Sequence, residues 1–408
     1  MHTPWKTDKW FTSPWNFVDE VKATHTFSKR IQFHDVSLRD GEQQTRLVFT
    51  KDQKVALAEK MAEAGMHRIE AGMPAVSPQD AEAIKEIVKR NLGPQIFAFA
   101  RCMKEDVQRV IDCGVKHIVM EVPASEHIVK YAYKWDLERA VALSVEATQY
   151  AKQNGLYTVF FPIDGSRADM KWFLDLIQRV ATEGHMDALV CVDTFGGLAP
   201  SACGYLIRKI KERIPDKPIE VHFHDDFGMG AANTVLALAA GADVAHTTIS
   251  GIGERAGNAA YEDVALTLLT MYGIDTGIKT EKMYPLSKFL REITGLTVRQ
   301  NQGIIGDDIS KIESGIVAGW YFNAKDVAPL ELSPYLYSLT GHPDTEVVIG
   351  KHSGLATIEM YLDRLGMKAT DEQKAQILAR LKDYSHAKHG LLTVEEFAEI
   401  ATRILGKR

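Results

Sequence analysis

The sequence predicts an α/β fold, a (β/α)₈ barrel followed by a small helical C-terminal region. Eight short β-rich runs recur between residues 30 and 250, helical patterns separate them, and beyond about residue 285 the strand signal stops. The runs are Ile31–Leu38, His67–Ala71, Gln95–Ala100, His117–Val122, Tyr157–Phe161, Ala188–Val192, Ile219–Phe223 and Asp243–Ile249. Between them, Asp52–Ala64 and Ser77–Lys89 carry the apolar spacing of surface helices, and Ser77-Pro78-Gln79-Asp80 reads as a helix start. A doubly wound sheet has a similar rhythm and stands as the alternative at this point.

With 408 residues and 45% hydrophobic content, the chain has room for one large core and an accessory segment. We divide it into an N-terminal arm (1–28), a catalytic barrel (29–285) and a helical C-terminal subdomain (286–408), the last predicted from Asp371–Tyr384 and Thr393–Leu405. The arm holds Trp5, Trp10 and Trp15 in a stretch too short for its own core, so it is expected to dock on the barrel or on a second subunit. A net charge of −6 without a long Lys/Arg run argues against nucleic acid as a partner. There is no run of 18 apolar residues and no signal-peptide pattern, so no membrane partner and a cytoplasmic location are expected. Cys102, Cys113, Cys191 and Cys203 lack CxxC spacing and read as reduced core residues.

The chemistry concentrates at the ends of the β-rich runs, where barrel enzymes build their sites. In Val221-His222-Phe223-His224 the histidines are two apart on a strand, so both side chains point the same way, into the barrel. Such a pair is half of a divalent-metal site, or two core histidines. The first run ends in Ser37-Leu38-Arg39-Asp40-Gly41-Glu42-Gln43, where Asp40 offers an anionic oxygen that completes a two-histidine, one-carboxylate set. Arg39 beside it is placed to stabilise a developing enolate oxygen. The last unit closes with Gly251-Ile252-Gly253-Glu254-Arg255-Ala256-Gly257-Asn258, whose glycines let the backbone approach a ligand and whose Asn258 reaches towards the metal. Thr194 ends the sixth run and is a candidate for holding a substrate carboxylate, while Glu70 and Arg101 end the second and third.

In combination, SLRDGEQ at Ser37–Gln43, IEAGMP at Ile69–Pro74, SRAD at Ser166–Asp169, DTFGG at Asp193–Gly197, HFHDD at His222–Asp226, GIGERAGN at Gly251–Asn258 and GKHSG at Gly350–Gly354 resemble the DRE-TIM metallolyase superfamily, with its pyruvate carboxyltransferase-type TIM barrel. Within it the chain resembles the isopropylmalate, homocitrate and citramalate synthases. The resemblance implies a divalent cation (Mg²⁺, Mn²⁺ or Zn²⁺) held by Asp40, His222 and His224 with Asn258 close by. It also implies a 2-oxo acid chelating that cation, with Arg39 polarising its carbonyl and Thr194 binding its carboxylate; we add Arg101 as a second candidate for binding the acid. The second substrate would be an acyl-CoA, usually acetyl-CoA, whose enolate attacks the keto carbon before thioester hydrolysis. Glu70 and His352 are further candidate catalytic groups, and a homodimer is the expected assembly. Feedback inhibition through a separate leucine-binding domain is not expected.

The chain departs from the synthase pattern at Ile163, where a Glu is usual, and at Ile312, where a His is usual. Isoleucine transfers no proton, so Glu313, Lys311 or His352 would have to serve. Those losses, with HxHD at His222–Asp225 where the synthases usually show HxHN, favour the alternative of a metal-dependent carbon–carbon lyase (retro-aldol or retro-Claisen, like HMG-CoA lyase) or a decarboxylase acting on a 2-hydroxy or 2-oxo acid. A non-catalytic, metabolite-binding paralogue would be expected to lose Arg39, Asp40, His222 and His224, all of which are present.

Overall fold

A computed structural model describes residues 3–406. Eight parallel strands close into a barrel in chain order: β1 (Gln32–Asp35), β2 (Arg68–Glu70), β3 (Gln95–Arg101), β4 (His117–Pro123), β5 (Tyr157–Ile163), β6 (Ala188–Asp193), β7 (Ile219–Phe223) and β8 (Val244–Thr247). β8 returns to pair with β1 through His34 and His246, so the doubly wound alternative falls away. Each of the eight β-rich runs supplies one strand. The first is shorter than the sequence implied, because Asp35 turns the chain by accepting the Ser37 N–H at 2.8 Å and frees Ser37–Gln43 for a rim loop.

The helices form where the local chemistry calls for them. Lys51–Glu63 begins with a Thr50/Gln53 capping box, and Pro78–Arg90 begins with the Ser77 hydroxyl on the Asp80 N–H. Their apolar faces cover the barrel with side chains such as Leu57, Met61, Ile84 and Ile87, all buried. Inside, Phe97, Phe99, Val119, Val159, Phe161, Val190 and Val192 pack as one cluster. The four cysteines are free and buried.

The chain forms two compact units, one of Ser13–Val298 around the barrel and the other of the described parts of Met1–Thr12 and Arg299–Arg408. In the second unit, Leu355–Arg364, Asp371–Lys388 and Val394–Leu405 pack around Ile358, Tyr361, Ile377, Leu381 and Phe397. Thr370/Gln373 and Thr393/Glu396 capping boxes start the last two helices. Strand structure does not stop altogether beyond residue 285: Lys311–Ile312 and Glu346–Val347 form a two-residue parallel ladder. Of the first 28 residues, 3–12 belong to this unit, with a bridge from Trp10 to Tyr335 and the Phe11 N–H on the Pro334 carbonyl at 2.8 Å. From Ser13 onward the chain lies with the barrel, where His25 and Phe27 meet the Tyr272 ring edge-on at 5.2 Å each.

Phe397 is fully buried at the centre of the C-terminal helices. Phe397→Ala is expected to cost about 3–5 kcal/mol through lost burial and the cavity left behind, read as a lower urea midpoint for that unit. A loss below about 1 kcal/mol would mean that this core is not the one described.

Candidate metal centre at the barrel rim

Asp40 from the loop after β1, His222 within β7 and His224 just beyond it meet at one point. The Nε2 atoms of the two histidines are 3.3 Å apart, and Asp40 Oδ2 is 3.6 Å from the first and 3.7 Å from the second. A triangle with those edges suits three ligands each about 2.1 Å from a single cation. All three residues are buried. Burial, followed by the charge of His222, lowers His224 to about 4; burial also lowers His222 against the pull of Asp40. Burial pushes the Asp40 carboxyl up, but Arg39 and His222 outweigh it and hold it well below the usual range. Two neutral imidazoles and a carboxylate are the donor set a divalent cation requires.

The surrounding contacts aim these ligands. The His224 Nδ1–H donates to the Gly257 carbonyl at 3.0 Å, which leaves Nε2 bare for a metal. A backbone bridge ties His224 to Asn258, whose Nδ2 donates to Asp40 Oδ1 at 2.7 Å and to the Ile252 carbonyl at 3.1 Å. The Asn258 Oδ1 is buried and has no protein partner, as expected of an atom awaiting a bound group. Gly253 has φ +149°, and a Cβ there would collide with Asn258 Nδ2 and stand 2.8 Å from Asp40 Oδ1. The glycine pattern therefore shapes the ligand cradle itself. A cavity of about 410 Å³ flanks this loop, lined by Gln44, Thr45, Ser250, Arg255, Arg291 and Thr297 among others.

Arg39 lies at the inner rim. Its Nη1 donates to Asp40 Oδ2 at 3.0 Å, its Nε pairs with Glu70, and its guanidinium lies over the Phe99 ring at 4.0 Å. Its Nη2 is buried without a protein partner, leaving one donor for a ligand. Glu70 is fully buried; burial pushes its carboxyl up, and Arg39, then His34, bring it down to about 2. The Thr194 hydroxyl accepts the Asp164 N–H at 2.8 Å, so its own proton stays available. Arg101, at the end of β3, is half exposed and engaged by Asp106 at 2.6 and 3.1 Å. His352 lies in the other compact unit, exposed beside Glu313, His386 and His389. Ile163, at the end of β5, packs against the inner apolar cluster, whereas Ile312 lies in the two-residue ladder of the C-terminal unit.

Three groups at this end of the barrel were given no role from the sequence. Asp164, at φ +62°, gathers Ser125 (2.6 Å), Arg167 (2.6 Å) and His127 (3.0 Å) around its carboxylate. Arg255 ties Asp226 at 2.8 Å to the Thr194 carbonyl and lies over Phe195. Burial raises Glu121 on β4 to about 7 against Arg39 and Arg101. SRAD pointed to the first group; for Glu121, only the alternation along β4 carried a signal.

The geometry defines a parallel-barrel protein with a two-histidine, one-carboxylate centre at the carboxyl ends of its strands. The HMGL-like family model matches residues 30–290, and the chain belongs to that family. It is 41% identical over 357 residues to a protein of Archaeoglobus fulgidus that carries the provisional name (R)-citramalate synthase, covering 87% of this chain and 71% of that one. It is 35% identical over 393 residues to the homocitrate synthase of Methanopyrus kandleri, covering 96% and 97%. With relatives of this kind the chain is an enzyme of the acyltransferase type that such synthases represent. The HMG-CoA lyase of Bacillus subtilis shares the fold, with a TM-score of 0.61 and 23% identity over 68% of this chain and 98% of that one.

Gly253→Ala is expected to push the Asn258 amide off Asp40 and weaken cation affinity at least about tenfold while the barrel stays folded, measured by Mn²⁺ titration in electron paramagnetic resonance. Unchanged affinity would remove Asn258 from the centre.

Proposed function

We propose that this enzyme condenses an acyl-CoA, acetyl-CoA first among them, with a 2-oxo acid to give a 2-alkylmalate-type product. The observation that carries the reading is the convergence of Asp40, His222 and His224 beside a buried Arg39 whose Nη2 has no protein partner, in a chain whose relatives are named citramalate and homocitrate synthases. A divalent cation held by those three residues supplies a chelation point for the 2-oxo acid and Lewis-acid polarisation of its keto group. Arg39 supplies a fixed donor to the keto oxygen as it gains negative charge, oriented by Glu70 and by the Phe99 ring beneath it. The Thr194 hydroxyl donates to the substrate carboxylate. Asn258 holds Asp40 in its ligating orientation. The cavity beside the Gly251–Asn258 loop offers room for part of the thioester.

Ile163 gives this rim an aliphatic wall where the resemblance implies a carboxylate, and His352 lies in the other compact unit. Burial raises the Glu121 carboxyl to about 7, and it lies beside Arg39 and Arg101. We assign the assembly as a homodimer on the resemblance alone. The lyase reading shares the metal centre, and what favours it is Ile163, Ile312 and the HxHD run at His222–Asp225.

The deciding experiment follows free thiol from acetyl-CoA with Mg²⁺ or Mn²⁺ against pyruvate, 2-oxoisovalerate, 2-oxoglutarate, oxaloacetate and glyoxylate. Metal-dependent release with one acid is the expected result, abolished in Asp40→Ala and His222→Ala variants that remain folded; silence across the panel with metal bound would replace it with the lyase reading. Acid binding should also weaken as pH rises through about 7, because Glu121 is neutral below that value and adds a negative charge beside Arg39 and Arg101 above it. Calorimetry from pH 6 to 8 should show this slope in the native protein and a flat line in Glu121→Gln; equal slopes would exclude Glu121.

A further inference from the structure

A second polar cluster fills the barrel interior, and the proposed reaction uses only its Glu70, through Arg39. His34 of β1, Glu70 of β2, Glu220 of β7 and His246 of β8 are at most 1% exposed. The two ring nitrogens of His34 face different carboxylates: Nε2 is 3.5 Å from Glu70 Oε2, and Nδ1 is 3.8 Å from Glu220 Oε2. The rings of His246 at 4.3 Å and Phe97 at 4.6 Å also flank it, and Asp35 and His117 lie near enough to feel its charge. Glu220 also takes Arg68 Nη1 at 2.6 Å and His246 Nε2 at 2.7 Å, while Glu70 takes Arg39.

His34, Glu220 and His246 bring their ligand atoms within 4.8 Å of one another, so a second metal ion has to be weighed against a proton. The geometry favours the proton. The 2.7 Å between Glu220 and His246 is a hydrogen-bond length, well under the roughly 3.4 Å that separates two ligands of a tetrahedral cation.

We propose that His34 is a positioning residue, held as an imidazolium between Glu70 and Glu220, and that it keeps Glu70 anionic and fixed on Arg39. Burial opposes a charge on His34, but the two carboxylates outweigh it and raise its pKa, whereas burial and the neighbouring His34 charge lower His246 to about 4 and leave it neutral. The effect on turnover rests on the proposed role of Arg39; the charge on His34 does not.

The test uses the full chain labelled with ¹⁵N at histidine and arginine, compared with His34→Gln, or with His34→Gln/Glu220→Gln if the single variant does not fold. At pH 8 one imidazole should carry protons on both nitrogens and vanish in the variant. The Arg39 Nε–H, identified by its loss in Arg39→Lys, should exchange slowly in the native protein and fast in His34→Gln. Bound Mn²⁺ or Zn²⁺ should number one per chain. A neutral His34 ring, a second cation that His34→Gln removes, or an unchanged Arg39 exchange rate would each overturn the proposal. Where the native enzyme turns over, His34→Gln should lower kcat about tenfold or more and leave cation affinity within about threefold. An inactive native enzyme would count against the function proposed above, with the spectra still deciding the charge.

Discussion

The ion pair between Arg39 and Glu70 holds a guanidinium at the inner rim of the barrel with 7% of its surface exposed. A charge so placed has lost most of its water, and it is tolerated because Glu70 and Asp40 face two of its donors and Phe99 covers its face. Glu70 in turn is fully buried, and its negative charge has to be answered from below. The ionic ladder of Asp40, Arg39, Glu70, His34, Glu220 and Arg68 is therefore a consequence of burying the Arg39 guanidinium. In this barrel the interior is partly salt, where aliphatic layers are the common filling.

The same constraint gives the rim its rigidity. Arg39 and Asp40 are adjacent in sequence and joined by a 3.0 Å contact, so a shift in the guanidinium moves a ligand oxygen. On the far side of the centre, Gly253 admits the Asn258 amide against Asp40 Oδ1, and Gly257, at φ +90°, presents the carbonyl that fixes the His224 tautomer. The ligands thus reach the site from two strand ends and a loop, each oriented by a neighbour that is itself held.

How much of this was legible in the sequence depended on whether the signal was local. The eight β-rich runs, the HxH spacing that sends His222 and His224 to one face, and the capped C-terminal helices are local patterns, and each stands in the structure. The contribution of Asp40 was legible because its loop follows β1 directly. Packing was not: the place of His352 in the other compact unit is a matter of tertiary contacts, and even the local pairing of Arg101 with Asp106, five residues on, follows from a loop geometry that the sequence does not spell out. The pairings of His34 with Glu70 and Glu220 were invisible for the same reason, since the residues lie on strands far apart in sequence. The upward shift of Glu121 arises from burial, which a charged residue within a strand does not announce.

Everything proposed for catalysis requires the 2-oxo acid to bind at the cation held by Asp40, His222 and His224. Pulsed electron paramagnetic resonance of the Mn²⁺-loaded chain with 2-oxo acids labelled with ¹³C at the carboxylate and keto carbons tests it most directly. The account predicts ¹³C hyperfine coupling from both carbons for one acid of the panel, lost in His222→Ala. Coupling from neither carbon at saturating acid, with Mn²⁺ bound, would contradict it.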